Sequence, residues 1–210
     1  LRDEILYEAK KRNKKVIIFD DGLQDRNISF DIKIVCFDSD NTIGNGLLIP
    51  AGPLRERINS LSNYDCVILK GENKDTKKFI KKIRRINKNL RIFTTYFKVK
   101  NLYKLNRLNK YIIFSGIGNP KNFKKTLLKN KIKVIHEFIF PDHHNYTSNE
   151  IKNIKQIADK KNAKIITTEK DFVKLSSIDQ KKIDYLKVET KFQNEKKFIN
   201  YLKSKMYEKY

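Results

Sequence analysis

The segment Val16-Ile-Ile-Phe-Asp-Asp-Gly-Leu-Gln-Asp-Arg26 decides the fold prediction for this chain, because an apolar run leads directly into two carboxylates and a glycine. The run predicts a buried β-strand over Lys15–Asp20. In open parallel sheets, ligands bind beyond the carboxyl ends of the strands, so we expect Asp20 and Asp21 at a crevice. Carboxylates there can hold Mg²⁺ against nucleotide phosphates. An ordinary strand closed by an Asp-Gly turn is the alternative.

Short apolar runs rich in Val, Ile and Phe alternate with Lys-rich amphipathic stretches along the chain. This alternation predicts βα units and an α/β fold with a mostly parallel sheet. The expected strands are Lys15–Asp20, Ile32–Asp38, Cys66–Leu69, Arg91–Thr95, Tyr111–Ser115, Lys133–Ile139, Lys164–Thr168 and Tyr185–Val188. The expected helices are Asp3–Lys11, Asp75–Ile86, Asn122–Lys129, Ser148–Lys160 and Lys196–Tyr207. A basic connector around residues 98–110 predicts two domains, at residues 1–100 and 101–210.

Composition limits the class of protein. A chain of 210 residues can bury a core, and its longest apolar runs fall short of the ~18 residues that a membrane-spanning helix needs. Cys36 and Cys66 lie in predicted buried strands, which suits reduced thiols better than a disulfide. The net charge of +23 suits nucleic acid, an anionic membrane or anionic substrates alike. Its spread over most predicted helices and loops favours a general compositional bias over a single binding patch.

Two glycine-rich loops are candidates for ligand contacts. The loop Gly44–Arg57 combines glycines, prolines and arginines, and Arg55 or Arg57 can hold phosphate oxygens bidentately. A structural connection with solvated arginines is the alternative there. The segment Phe114–Phe123 leads from a strand through glycines into a helix, with Asn119 as N-cap. Its glycine spacing matches no phosphate-binding fingerprint, which favours a plain turn.

A pair of histidines precedes a helix in Phe140-Pro-Asp-His-His-Asn-Tyr146. The following Thr147-Ser-Asn-Glu150 is a capping box, so the histidines are expected on a loop at a helix entrance. An exposed loop histidine can relay a proton or donate to a phosphate, and Asp142 can orient it. A pair of surface histidines without a role is the alternative.

Polar residues also follow a predicted strand in Ile165-Ile-Thr-Thr-Glu-Lys-Asp-Phe172. Thr168 and Asp171 have the spacing of a second capping arrangement. Lys170 can reach a phosphate there or remain a solvated charge, and the motif alone does not decide between them.

Six segments in this order closely resemble the tetraacyldisaccharide 4′-kinase family, the lipid A 4′-kinases. The resemblance covers about Lys15–Leu175. The segments are Asp20-Asp-Gly-Leu-Gln24, Gly44-Asn-Gly46, Pro50-Ala-Gly-Pro-Leu-Arg-Glu56, Phe114-Ser-Gly-Ile-Gly-Asn-Pro120, Phe140-Pro-Asp-His-His144 and Thr168-Glu-Lys-Asp171.

The resemblance implies transfer of the γ-phosphoryl group of ATP, with Mg²⁺, to the 4′-hydroxyl of tetraacyldisaccharide 1-phosphate, giving lipid IVA. It implies a peripheral enzyme on the cytoplasmic face of the inner membrane of a Gram-negative bacterium, in contact with the anionic membrane surface. The implied site residues are Asp20 and Asp21 for Mg²⁺ and ATP, Gln24 for ATP, Asp21 and His143 for catalysis, and Asn45, Arg55, His144 and Lys170 for the lipid substrate.

The sequence departs from the family pattern in two places. The family usually continues the acidic motif as Gln-His-Arg, whereas Asp25 follows Gln24 here, and no Gly-x4-Gly-Lys-Ser/Thr motif occurs in the 210 residues. We therefore expect residues 1–100 to be part of a P-loop-kinase-like domain truncated at its N-terminal side, followed by a smaller α/β domain. We expect negligible kinase activity from this chain alone. The alternative function is a basic α/β module that binds nucleic acid or an anionic membrane without catalysis; no nucleic-acid-binding motif supports the former.

Overall fold

The computed structural model describes residues 2–25, 27–71 and 75–207. The chain forms two compact units, the first from residues 1–95 and 192–210 and the second from residues 96–191. The C-terminal segment therefore groups with the first unit, which the sequence did not indicate. The domain boundary near residue 100 stays a prediction.

Both units are built from parallel strands and helices. In chain order the elements are α1 (Arg2–Lys11), β1 (Ile34–Asp38), a 3₁₀ turn (Ile58–Asn63), β2 (Cys66–Lys70), α2 (Thr76–Ile86), β3 (Arg91–Val99), a second 3₁₀ turn (Leu102–Lys104), β4 (Lys110–Ser115), α3 (Pro120–Lys129), β5 (Lys133–Ile139), α4 (Ser148–Lys160), β6 (Lys164–Thr168), α5 (Glu169–Phe172), β7 (Ile183–Leu186), β8 (Val188–Phe192) and α6 (Glu195–Tyr207). One sheet has the order β1-β2-β3-β8 and the other β5-β4-β6-β7. The pairs β1–β2, β2–β3, β4–β5, β4–β6 and β6–β7 are parallel, which confirms the predicted α/β class.

The core of the first unit forms where α2 packs on its sheet. Phe79 and Ile83 are buried on one face of α2, at the spacing of successive helical turns. Val67 and Leu69 of β2 are fully buried and belong to the same cluster. Phe79 also contacts Phe37 of β1 edge to face, with ring centroids 5.1 Å apart. This packing holds β2 and β1 together, and β1 lines the candidate site.

The second unit is organised around β4, which lies between β5 and β6. Tyr111, Ile112, Ile113 and Phe114 are all fully buried. A central parallel strand is covered on both faces, which explains why this strand reads as a continuous apolar run rather than as an alternating one. Two clusters cover its faces, one including residues of α3 and the other residues of α4.

The predicted strand over Lys15–Asp20 is wrong. The segment has no strand pairing, and the Ile18 side chain is 90% exposed. The run has strand character, but a strand requires a partner. Among the described residues, β1 is an edge strand that pairs only with β2. The carboxylates at Asp20 and Asp21 therefore follow an extended segment instead of a sheet strand.

Smaller differences have similar physical causes. The predicted strand Tyr185–Val188 is divided at Lys187, so that its two ends belong to different sheets. Cys36 is exposed rather than buried, because it lies on the edge strand, whereas Cys66 is buried as expected. The short elements α5 and β8 were not predicted. No helix in the described parts of the chain is long and apolar enough to cross a membrane.

Candidate functional site

An open cavity of about 660 Å³ in the first unit contains the predicted acidic motif. It lies along the whole of β1, and its lining includes Asp20, Asp21, Gln24 and Arg55. The structure thus brings together in one concavity the residues that the sequence assigned to Mg²⁺ and ATP and one assigned to the lipid. Concave sites with a few convergent polar groups are typical of ligand binding.

The turn that carries Asp20 and Asp21 has an unusual backbone conformation. Asp21 has φ of 53°, in the left-handed region that Asp and Asn tolerate better than most residues. At Gly22 a Cβ would lie 2.8 Å from the Phe19 Cβ, so only glycine fits without movement. Arg55 Nη1 lies 2.5 Å from Asp21 Oδ1, and this hydrogen bond raises the pKa of the Arg55 guanidinium.

The proline-rich loop that carries Arg55 is braced by its own side chains. Asn45 donates from Nδ2 to the Ala51 carbonyl at 2.8 Å and accepts from the Leu47 amide at 3.1 Å. At Gly52 a Cβ would meet both Asn45 Oδ1 and the Leu47 carbonyl, so the loop closes tightly on itself. In this structure both polar atoms of Asn45 serve the loop, while its assignment to the lipid substrate stays a prediction.

The oxygen ligands that the cavity offers suit a Mg²⁺ ion whose other ligands are mainly the phosphates of the nucleotide. Among the described residues, no group of three or more His, Cys, Asp and Glu side chains is placed to hold a metal ion. Mg²⁺ in phosphoryl-transfer enzymes is commonly bound by one or two carboxylates together with substrate phosphates and water. Asp20 and Asp21 are both exposed and adjacent, which fits that mode and does not fit an all-protein metal site.

The histidine pair lies in the second unit, on the loop before α4 as predicted. Thr147 is the N-cap of α4, and the capping box with Glu150 is present in both directions. His144 lies 3.2 Å from both Glu150 carboxylate oxygens and stacks on Phe140, with ring centroids 4.7 Å apart. The Thr147 backbone amide and His144 both bind Glu150, which lowers the pKa of its carboxyl group.

The two histidines have different environments. The His144 side chain is 23% exposed and engaged with Glu150, whereas the His143 side chain is 75% exposed. His143 Nε2 lies 3.9 Å from Asp142 Oδ2 and 3.5 Å from Lys170 Nζ. Lys170 Nζ is also 3.7 Å from Asp142 Oδ1. His143, Asp142 and Lys170 thus form an exposed cluster of an imidazole, a carboxylate and an ammonium group.

One residue beside this cluster was missed as a site residue. Asp171 was assigned only a capping role, and Thr168 does accept from its backbone amide as predicted. Its carboxylate, however, is completely buried and binds the Gly116 amide at 3.1 Å. An acidic residue three places after the end of a buried strand is the sequence signal that could have identified it.

Comparison with known proteins places these features in a family. A family model described as LpxK, tetraacyldisaccharide-1-P 4′-kinase, matches residues 4–207. The chain belongs to the tetraacyldisaccharide 4′-kinase family. A tetraacyldisaccharide 4′-kinase of Pelagibacter ubique is 41% identical over 197 residues, which cover 94% of this chain and 63% of that protein. One of Rickettsia canadensis is 37% identical over 171 residues, covering 78% of this chain and 49% of that protein.

A solved structure shares the fold. The crystal structure of LpxK from Aquifex aeolicus in complex with ATP superposes with a TM-score of 0.61 and 22% sequence identity, covering 96% of this chain and 61% of that chain. The 4′-kinase fold is therefore confirmed. The chain spans less than two thirds of the length of the relatives and of the solved structure that it matches.

Proposed function

We propose that the protein transfers the γ-phosphoryl group of ATP to the 4′-hydroxyl of tetraacyldisaccharide 1-phosphate, giving lipid IVA. The single observation that carries this proposal is the family match over residues 4–207, which includes both the acidic cavity and the histidine loop. The match supports the kinase hypothesis and not the alternative of a non-catalytic basic module. The relatives named tetraacyldisaccharide 4′-kinase share the match along most of this chain.

In the first unit, Asp20 and Asp21 are the proposed Mg²⁺ ligands. When bound, Mg²⁺ neutralises charge on the phosphates of ATP. Phosphoryl transfer depends mainly on positioning and on electrostatic stabilisation. The two carboxylates would contribute by holding Mg²⁺, and the Arg55 guanidinium would contribute its positive charge in the same cavity. Gln24, which lines the same cavity, can donate and accept hydrogen bonds with the nucleotide. Arg55 pairs with Asp21 in this structure and is free to turn to a phosphate oxygen, because both side chains are more than half exposed.

In the second unit, His143 is proposed to assist the catalytic base that activates the acceptor hydroxyl. Its imidazole is exposed, and a histidine can exchange a proton near neutral pH. Asp142 stabilises the protonated imidazole, and Lys170 can hold a phosphate of the lipid substrate. His144 is the weaker candidate for substrate contact, because Glu150 and Phe140 already hold its ring.

We also propose that the protein binds the anionic cytoplasmic face of the inner membrane peripherally. The exposed residues of α2 are all basic, and no ion pair with a described residue neutralises them. These residues are Lys77, Lys78, Lys81, Lys82, Arg84 and Arg85. Each basic residue near an anionic leaflet contributes about 1 kcal/mol. The buried Phe79 and Ile83 hold the opposite side of α2 on the sheet and so present the basic face outward.

The proposed reaction is tested by incubating the complete gene product with Mg²⁺, [γ-³²P]ATP and tetraacyldisaccharide 1-phosphate. We expect label in a lipid product whose phosphate is at the 4′-position, and none when the acceptor lacks a 4′-hydroxyl. Label that appears only as inorganic phosphate would refute lipid phosphorylation. The 210-residue chain is assayed in parallel, where we expect negligible transfer.

A further inference from the structure

Asp171 is a fully buried acidic residue in the second unit that the proposed reaction does not use. Its Oδ2 accepts hydrogen bonds from the Thr168 hydroxyl at 2.7 Å and from the Gly116 amide at 3.1 Å. A buried carboxylate is costly unless it is paired and hydrogen-bonded. These bonds explain how the charge is accommodated, but they do not explain why a carboxylate is present at the end of β6.

The hydrogen bonds of Gly116 connect Asp171 to the histidine loop. The Gly116 amide donates to Asp171, and the Gly116 carbonyl accepts from the His143 amide at 3.2 Å. The amide and the carbonyl belong to one residue, so Asp171 and the His143 backbone are separated by a single glycine. His143 itself has φ of 62°, in the left-handed region, so its backbone depends on surrounding contacts.

A second connection runs through Lys174. Its Nζ lies 3.4 Å from Asp171 Oδ1 and donates to the His144 carbonyl at 3.2 Å. The Lys174 side chain is mostly buried, which makes this pair less screened by solvent than a surface pair. The two carboxylate oxygens of Asp171 thus hold the histidine loop at two successive residues, one through Gly116 and the other through Lys174.

The packing of the glycine loop provides an independent observation. At Gly116 a Cβ would lie 3.0 Å from the Pro141 carbonyl oxygen and 3.1 Å from the His144 Cβ. At Gly118 a Cβ would lie 3.2 Å from Asp142 Oδ2. The glycines therefore allow close approach of the two loops, which accounts for a motif whose spacing matches no phosphate-binding fingerprint.

We propose that Asp171 is the positioning residue for His143, holding the imidazole-bearing loop through Gly116 and Lys174. This inference rests on the proposed function for the role of His143 in catalysis, but the positioning itself is independent of it. Asp171 does not touch substrate. A loop held less firmly samples unproductive imidazole positions, and a displacement of about 1 Å can reduce turnover by roughly 100-fold.

The structural arm of the test uses amide hydrogen exchange in the 210-residue chain. In Asp171→Asn the side chain keeps its shape, but its amide oxygen is a weaker acceptor and its NH₂ group faces Lys174. We expect about tenfold faster exchange of the His143 amide, with the Ile113 amide of β4 unchanged. The matched control is Glu169→Gln, which removes an exposed carboxylate of α5 that pairs with Lys187 at 3.2 Å. Unchanged exchange at His143 in Asp171→Asn would overturn the proposal.

The kinetic arm uses a double-mutant cycle in the complete gene product. We expect Asp171→Asn to lower kcat about tenfold with little change in KM, and Asp171→Asn combined with His143→Ala to be no slower than His143→Ala alone. Losses that multiply would mean that Asp171 acts independently of His143 and would contradict the proposal. Full turnover of His143→Ala would instead refute the catalytic role of His143, while the exchange experiment would still decide the positioning.

A second variant keeps the test decisive if Asp171→Asn does not fold. Gly116→Ala disturbs the same loop from the side of Pro141 and leaves the Asp171 carboxylate intact. We expect it to accelerate exchange of the His143 amide and to show the same lack of additivity with His143→Ala. Additive losses in this second cycle would count against the connection through Gly116.

Discussion

Arg55 Nη1 lies 2.5 Å from Oδ1 of Asp21, although all of β1 separates the two residues in the sequence. Both side chains are more than half exposed, and an exposed ion pair contributes only about 0–1 kcal/mol to stability. The pairing therefore contributes little to the stability of the fold. It shows that a positive and a negative side chain lie together in one cavity. If Arg55 serves phosphate binding, its removal should affect turnover far more than stability.

We accordingly predict that Arg55→Ala leaves the urea midpoint of unfolding nearly unchanged and lowers kinase turnover by about tenfold or more. Urea unfolding of the chain and turnover of the complete gene product measure the two effects. Arg12→Ala is the matched control, because Arg12 is an exposed arginine directly after α1 that pairs with Glu8 of this helix at 3.2 Å. A variant that loses stability and keeps its turnover would assign Arg55 a structural role.

Replacement of each histidine by alanine should have different effects on stability and on turnover. His143→Ala should leave stability nearly unchanged, because its ring is largely exposed, and should lower turnover. His144→Ala should cost about 1–2 kcal/mol, because it removes the contacts with Glu150 and Phe140. Thermal unfolding and steady-state kinetics on both variants check this. A loss of stability in His143→Ala and a loss of turnover in His144→Ala would show that His144 has the catalytic role and His143 the structural one.

Glu150 should make the stability of the second unit dependent on pH. Its pKa is lowered from the ordinary value of 4.5 in the folded state, so its contribution is fully present above that value and is lost as the pH falls through the lowered pKa. We predict that Glu150→Gln reduces the loss of stability in acid, measured as the urea midpoint at a series of pH values below about 5. Asp159→Asn on the same helix is the control. An unchanged acid dependence in Glu150→Gln would contradict the prediction.

Membrane binding should depend on the basic face of α2. Replacing Lys77, Lys81 and Lys82 with glutamine should reduce binding to vesicles that contain anionic phospholipid by roughly 100-fold at low salt, at about 1 kcal/mol per residue. Neither the unsubstituted protein nor this triple variant should bind to vesicles of neutral phospholipid. The matched control replaces Lys196, Lys197 and Lys203 of α6, which removes the same charge from another exposed surface. Equal losses in the two triple variants would show that total charge, and not α2, determines binding.

The α/β class and most elements could be predicted, because their periodicity is set by local packing. The continuous apolar run of β4, the buried spacing in α2 and the capping box of α4 each appear in the structure where the sequence placed them. The prediction of a strand over Lys15–Asp20 was wrong for a non-local reason. Its side chains suit a strand, but strand formation depends on a partner, and a pattern in one segment carries no information about its partner.

The candidate site was predicted in composition but not in its internal contacts. Asp20, Asp21 and Arg55 were identified from an acidic motif and a glycine-rich loop, and the cavity does collect them, although Asp20 and Asp21 follow an extended segment and not a strand. The pairing of Asp21 with Arg55, the bracing role of Asn45 and the difference between His143 and His144 depend on which side chains face each other. Those contacts arise between segments that are distant in sequence, so spacing alone does not define them.

The role of Asp21 as a Mg²⁺ ligand is tested by the turnover of the Asp21→Ala variant of the complete gene product. If the carboxylate holds the Mg²⁺ that serves ATP, we expect phosphate transfer to the lipid to fall by about 100-fold or more, with rates still proportional to enzyme concentration. The control is Asp159→Ala, which removes an exposed carboxylate that does not line the cavity and should leave the rate unchanged. An Asp21→Ala enzyme with undiminished turnover would show that Asp21 does not hold the catalytic Mg²⁺.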